Sequence, residues 1–77
     1  MYTIYSKEGC PHCEKVVKML DLVGLEYKVY KLGEDFTPDQ FLAEFGEGST
    51  FPRVLKGEHL IGGAADTLVT LQEQGYI

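Results

Sequence analysis

At 77 residues and 44% apolar side chains, the chain has material for one small folded domain, residues 1–77, and no room for a second. A core of that size supports a net stability on the order of 3–5 kcal/mol. A net charge of −5, from 7 Lys and Arg against 12 Asp and Glu, argues against nucleic acid as a partner, and no apolar run is long enough for a membrane span.

Tyr2-Thr3-Ile4-Tyr5-Ser6 is rich in β-formers and is expected to be a central strand. Lys7-Glu8-Gly9 is the loop that follows it. From Pro11 to about Val23, apolar residues at Val16, Val17, Met19, Leu20 and Val23 fall on helical spacing, and Gly24 is a suitable C-cap. Leu25 to Lys31 alternates apolar with charged residues, as a strand with one wet face does. Leu32 to Phe36 is expected to be a polar loop. Thr37-Pro38, with Gln40 three residues after the threonine, predicts the capping box of a second helix whose buried face is Phe41, Leu42 and Phe45. After the Gly46 to Thr50 break, Phe51 to Leu55 forms a short strand. Lys56-Gly57-Glu58 turns it into His59-Leu60-Ile61, and Gly62-Gly63 ends that strand. A last helix from Ala64 to about Gln74 packs through Leu68, Val69 and Leu71. The order β-α-β-α-β-β-α implies a right-handed parallel crossover followed by an antiparallel hairpin, hence an α/β fold with a four-stranded mixed sheet and three helices.

The chemistry-bearing stretch is Cys10-Pro11-His12-Cys13, between the first strand and the first helix. Residues i and i+3 share a face in the first helical turn, so the two sulfurs can close a small disulfide ring or stand apart as a dithiol with little backbone movement. Cys10 falls near the N-cap, where unpaired N–H groups and the positive end of the helix dipole favour a thiolate. Cys13, one turn in and more buried, keeps its proton more tightly and suits the resolving role. Pro11 fits the first helical position, where a missing N–H costs nothing. A zinc site would need four ligands, and only His12 and His59 could join the cysteines, so no metal is expected. Lys7, Lys15, Lys18 and Arg53 are candidates for a locally positive mouth around the pair. Met1 leads directly into an alternating run with no basic n-region or small-residue cleavage site. A cytoplasmic, reducing setting is therefore expected, where a cysteine pair is more often catalytic than structural.

Three motifs in order, Lys7-Glu8-Gly9-Cys10-Pro11-His12-Cys13, Ser49-Thr50-Phe51-Pro52-Arg53-Val54 and Ile61-Gly62-Gly63-Ala64-Ala65-Asp66, give the chain an end-to-end resemblance to glutaredoxins, most of all the short bacterial and phage forms. The resemblance implies a thioredoxin-like fold. It also implies that Pro52 follows a cis peptide bond and that the backbone of Phe51 pairs with an extended thiol peptide. Gly62 and Gly63 then let the chain approach that ligand closely. By the same resemblance, Asp66 meets the ammonium of glutathione's γ-glutamyl end, and Lys7 meets the glycyl carboxylate and helps hold Cys10 ionised. Gln40 is the candidate at the start of the second helix for the same carboxylate, beside an unfavourable Asp39. His12 stands where glutaredoxins commonly have tyrosine and is similar in this to strongly oxidising periplasmic thiol oxidases. It can donate to, or when protonated attract, the Cys10 thiolate, which stabilises the reduced form.

The expected activity is reduction of protein disulfides and glutathione mixed disulfides by Cys10 and Cys13, with glutathione as reducing co-substrate and no tightly bound cofactor. The implied partners are glutathione and disulfide-containing client proteins, with ribonucleotide reductase a client by family analogy. Neither nucleic acid nor membrane is expected as a partner, and the chain is expected to be monomeric. Two alternatives keep the fold. One is a redoxin reduced by a thioredoxin-reductase-type flavoenzyme; the other is a module binding an iron–sulfur cluster through Cys10 and external glutathione.

Overall fold

A computed structural model describes all residues, 1–77. Alternation sets the first strand: Tyr2, Ile4 and Ser6 of β1 (Tyr2–Ser6) are buried, while Thr3 and Tyr5 point to the opposite face of the sheet. The following elements are α1 (Pro11–Leu22), β2 (Tyr27–Lys31), α2 (Pro38–Phe45), β3 (Arg53–Lys56), β4 (His59–Gly62) and α3 (Ala64–Glu73). The strands lie in the order β2-β1-β3-β4, so β1 is central as expected. Strand β2 runs parallel to β1, with Ile4 beside Val29. The β3 strand is antiparallel to β1, with Ile4 beside Val54, and the β3–β4 hairpin completes a mixed sheet.

The buried core is Tyr2, Ile4, Val16, Leu20, Val54 and Leu71, contributed by β1, α1, β3 and α3. This clamps α1 and α3 onto one face and brings the N-termini of both helices to the same end of the sheet as the end of β1. On the other face α2 is attached by aromatic rings: Tyr5 meets Phe45 at 5.0 Å and Phe36 at 5.2 Å, both edge to face. The Tyr27 hydroxyl donates to Asp21 Oδ1 at 2.7 Å, tying the start of β2 to the end of α1. No helix is long and apolar enough to cross a membrane.

Several boundaries and faces differ from expectation for identifiable reasons. Leu25 and Glu26 lie outside β2, because the Leu25 N–H is used to close the end of α1 on Leu20 O. Strand β3 starts at Arg53, since Pro52 has no N–H to give the ladder. Lys56 is its last residue rather than part of the turn, and β4 extends to Gly62. Gly24 sits one position past the C-cap Val23, at φ +73°. Leu42 and Val69 are exposed rather than buried. In α3 the buried face is completed by Thr67, whose hydroxyl donates to Gly63 O at 2.9 Å and so enters the core satisfied. Phe36, expected within a polar loop, is buried; the loop folds back so that Gly33 N–H donates to Phe36 O at 2.8 Å and Leu32 bridges Phe36.

Candidate active site

The end of β1 delivers the chain through Lys7, Glu8 and Gly9 to Cys10, which is the N-cap of α1 with extended backbone angles, followed by Pro11 at the first helical position. The Cys13 N–H donates to Cys10 Sγ at 3.3 Å. The first sulfur therefore occupies the place a capping oxygen takes at other helix starts, and receives one of the orphan N–H groups as well as the helix dipole. Both cysteines are free thiols, Cys10 6% exposed and Cys13 3%.

The two sulfurs are not equivalent. Burial pushes the Cys13 thiol up to about 12, and its hydrogen bond with Cys10 adds to the rise; the Lys7 backbone amide and the Lys7 charge pull weakly the other way. Cys13 thus holds its proton at neutral pH and shares it with Cys10 Sγ. This is the arrangement a nucleophile and a resolving thiol need.

The remaining predicted residues form a chain of contacts leading away from the pair. Lys7 lines a cavity of about 520 Å³ with Cys13, Glu14, Val17, Lys18 and Lys31, and its ammonium stands 5.5 Å over the Phe51 ring. The Phe51–Pro52 peptide is cis, as the resemblance implied, and Pro52 is buried. A Cβ on Gly63 would meet Pro52 O at 3.7 Å, so the start of α3 lies against this loop. Asp66, in the first turn of α3, accepts from Gly63 N–H at 3.1 Å through Oδ2. Lacking a side chain, Gly63 cannot return that bond, so Asp66 alone caps the helix start.

Gly62 is fixed by this carboxylate. Its φ is +126°, and an added Cβ would fall inside contact distance of Asp66 Oδ2 and 2.9 Å from its Cγ. Gly62→Ala is expected to displace Asp66 from the Gly63 N–H and cost about 1–3 kcal/mol of backbone strain and lost cap. On a domain of this size that is a drop of roughly 4 °C or more in Tm, measurable by thermal denaturation. A variant melting with the parent would refute the steric argument.

Three sequence expectations look different in place. Gln40 lines a cavity other than the one Lys7 and Cys13 share: its Oε1 accepts from Thr37 N–H at 2.8 Å, Thr37 Oγ1 accepts from Gln40 N–H at 3.2 Å, and the side chain lines a cavity of about 490 Å³ with Tyr5, Tyr30 and Phe36. His12 is exposed and makes no hydrogen bond to Cys10. Of the four cations expected around the pair, Lys7 and Lys18 line the Cys13 cavity together with Lys31, whereas Lys15 does not and Arg53 is turned to Thr50, with Nε on its carbonyl at 3.0 Å. The rings of Phe36 and Phe41 behind Phe51 were missed by sequence reasoning; the cluster of Phe36, Phe41, Phe45 and Phe51 within 16 positions was the available signal.

A family model described as Glutaredoxin matches residues 2–61. The chain is 35% identical over 77 residues to a glutaredoxin of Ricinus communis, covering 96% of this chain and 74% of that protein. It is 38% identical over 64 residues to the hybrid peroxiredoxin hyPrx5 of Haemophilus influenzae, covering 83% of this chain and 26% of that protein. Among solved structures, reduced Escherichia coli glutaredoxin superposes with a TM-score of 0.79 at 19% identity, over 94% of this chain and 93% of that one, which is a likeness of fold. A buckwheat glutaredoxin–glutathione complex superposes at 0.75 with 28% identity, over 97% of this chain and 70% of that one.

Proposed function

The chain belongs to the glutaredoxin family, and from that membership we propose that it is a glutathione-dependent thiol–disulfide oxidoreductase working through Cys10 and Cys13. The observation that carries the reading is the asymmetry of the pair: Cys10 Sγ at the helix N-cap accepting the Cys13 N–H, and Cys13 held protonated behind it.

With a glutathione mixed disulfide, Cys10 Sγ attacks the glutathionyl sulfur. A Cys10–glutathione bond forms, the client's sulfur leaves as a thiolate, and a second glutathione then releases glutathione disulfide and restores Cys10. With a protein disulfide, Cys10 forms a mixed disulfide with the client. The client's other sulfur leaves as a thiolate in that step and takes the Cys13 proton; Cys13 then attacks Cys10 Sγ, the client sulfur bonded to Cys10 leaves with the electron pair, and the client is reduced to its dithiol. Two glutathione molecules return the Cys10–Cys13 disulfide to the dithiol and become glutathione disulfide. Lys7 supplies positive charge beside Cys13, with which it lines one cavity, and Asp66, whose Oδ1 takes no part in the helix cap, is available for the γ-glutamyl end. Phe51, Pro52, Gly62 and Gly63 shape the intervening surface. Likeness to the buckwheat protein, solved with glutathione, supports the choice of co-substrate. The same reading sets the protein in the cytoplasm as a monomer, with ribonucleotide reductase a client by family analogy.

The rival reductant, a thioredoxin-reductase-type flavoenzyme, draws on one observation: Asp39 stands beside Gln40 in the first turn of α2, and its negative charge weakens that helix end as a carboxylate site. Coupled assays decide between them. Disulfide reduction with glutathione, glutathione reductase and NADPH, and none with thioredoxin reductase and NADPH, is the expected result; the reverse pattern would overturn the glutathione reading.

His12 bears on potential rather than on competence. The His12→Tyr variant is expected to be more reducing than the parent, because the imidazole favours the Cys10 thiolate and hence the dithiol. Its exposure limits the shift to about 30 mV, roughly tenfold in the exchange constant. A redox titration finding no change, or a more oxidising variant, would refute this.

A further inference from the structure

The side chain of Phe51 has surroundings that the mechanism above leaves unused. Phe41, buried on α2, stacks on its ring at 4.3 Å with the planes 16° apart, and Phe36 lies at 6.1 Å and 26°. Phe36 and Phe41 are themselves 5.8 Å apart at 25°. Three nearly parallel rings thus form one block, anchored to β1 because Tyr5 meets Phe36 edge to face. Phe41 stacks on Phe51, and the Lys7 ammonium stands over the same Phe51 ring, 5.5 Å from its centre.

Lys7 needs such a partner. It is exposed, its four-carbon stem has many conformers, and an ammonium free in water is hydrated and screened within a Debye length. The Phe51 ring selects the conformers that keep the charge on the thiol side, where Lys7 and Cys13 line the same cavity.

We propose that Phe51 is a positioning residue: its ring, braced by Phe41 and Phe36, holds the Lys7 ammonium beside the thiol pair, where it stabilises the negative charge borne by sulfur during exchange. Through this stack α2, which contributes no group to the sulfurs, influences their reactivity. The proposal rests on the reading of Cys10 as the attacking thiol.

The test is the rate of iodoacetamide alkylation of the reduced full-length chain against pH, with the modified residue identified by mass spectrometry. For Phe51→Leu the rate near neutral pH is expected to fall about two- to fivefold, the span a partly exposed cation–π contact supplies. The limiting rate at high pH stays the same, so the profile moves to higher pH. Phe51→Tyr restores the parent profile because it keeps the ring. Lys7→Gln reproduces the fall, and the double variant Lys7→Gln/Phe51→Leu falls no further, since both act through one contact. Phe51→Met serves in place of leucine if the leucine variant does not fold. A profile unmoved by loss of the ring, or losses at Lys7 and Phe51 that multiply, would overturn the proposal while leaving Cys10 as nucleophile. Alkylation found first on Cys13 would overturn both.

Discussion

Cys10→Ser is expected to abolish reduction of every disulfide substrate, with a loss of at least about a thousandfold, whereas Cys13→Ser removes only one class of activity. The difference follows from the helix N-cap. Cys10 Sγ is the sulfur that receives the Cys13 N–H at 3.3 Å, so negative charge on it is met by a donor and by the helix dipole. A serine oxygen placed there keeps the hydrogen bond, but it neither ionises at neutral pH nor forms and breaks bonds to sulfur. Cys13, protonated and one turn deeper, acts only after a mixed disulfide with Cys10 exists. A glutathionylated substrate can be cleared without it by a second glutathione, but an intramolecular protein disulfide requires it. The check is a pair of steady-state assays on both variants, one with a glutathionylated peptide and one with a protein carrying an internal disulfide. A Cys13→Ser chain that still turns over the protein disulfide at the parent rate would contradict the resolving role. A Cys10→Ser chain active on either substrate would contradict the assignment of nucleophile.

Leu20→Ala is the stability change with the largest expected effect. Leu20 is 0% exposed in the core between α1, β1 and α3, and removing its isobutyl end costs transfer energy plus the cavity left behind, about 2–5 kcal/mol. That equals most or all of what a core of this size supports, on the order of 3–5 kcal/mol, so the variant should be largely unfolded at 37 °C. Two positions on, Leu22 is 86% exposed, and Leu22→Ala should change stability by less than about 0.5 kcal/mol. Urea titrations followed by circular dichroism measure both. Equal midpoints for the two variants would mean that α1 does not pack as described.

The pairing of these two leucines illustrates what local sequence carries well. The period of Val16, Leu20 and their neighbours identifies a helix and its inner stripe, because both depend only on residues within a turn or two. The same holds for the α2 capping box, in which Thr37 and Gln40 satisfy each other's backbone N–H at 3.2 and 2.8 Å. It holds for Cys10 at the head of α1, where Pro11 fixes the start of the helix. It also holds for the alternation of β1, whose central place follows from the strand-helix-strand opening and the hairpin at the end.

By itself, then, the sequence determined the element order, the N-terminal caps of α1 and α2 and the place of the thiol pair, since each is dictated by spacing within a few residues. The tertiary structure alone decided how far a helical stripe is buried: α2 lies on the sheet through Phe41 and Phe45 and leaves Leu42 out, and α3 buries Thr67 in preference to Val69. It also decided that Phe36 folds under its loop and that Gly62, at φ +126°, has the Asp66 carboxylate in the space of a Cβ. Most distant of all is the contact of Lys7 with Phe51, 44 positions apart in the chain and 5.5 Å apart in space. Such contacts depend on the angle at which helices dock and on which strands become neighbours, and no short-range pattern of residues encodes either.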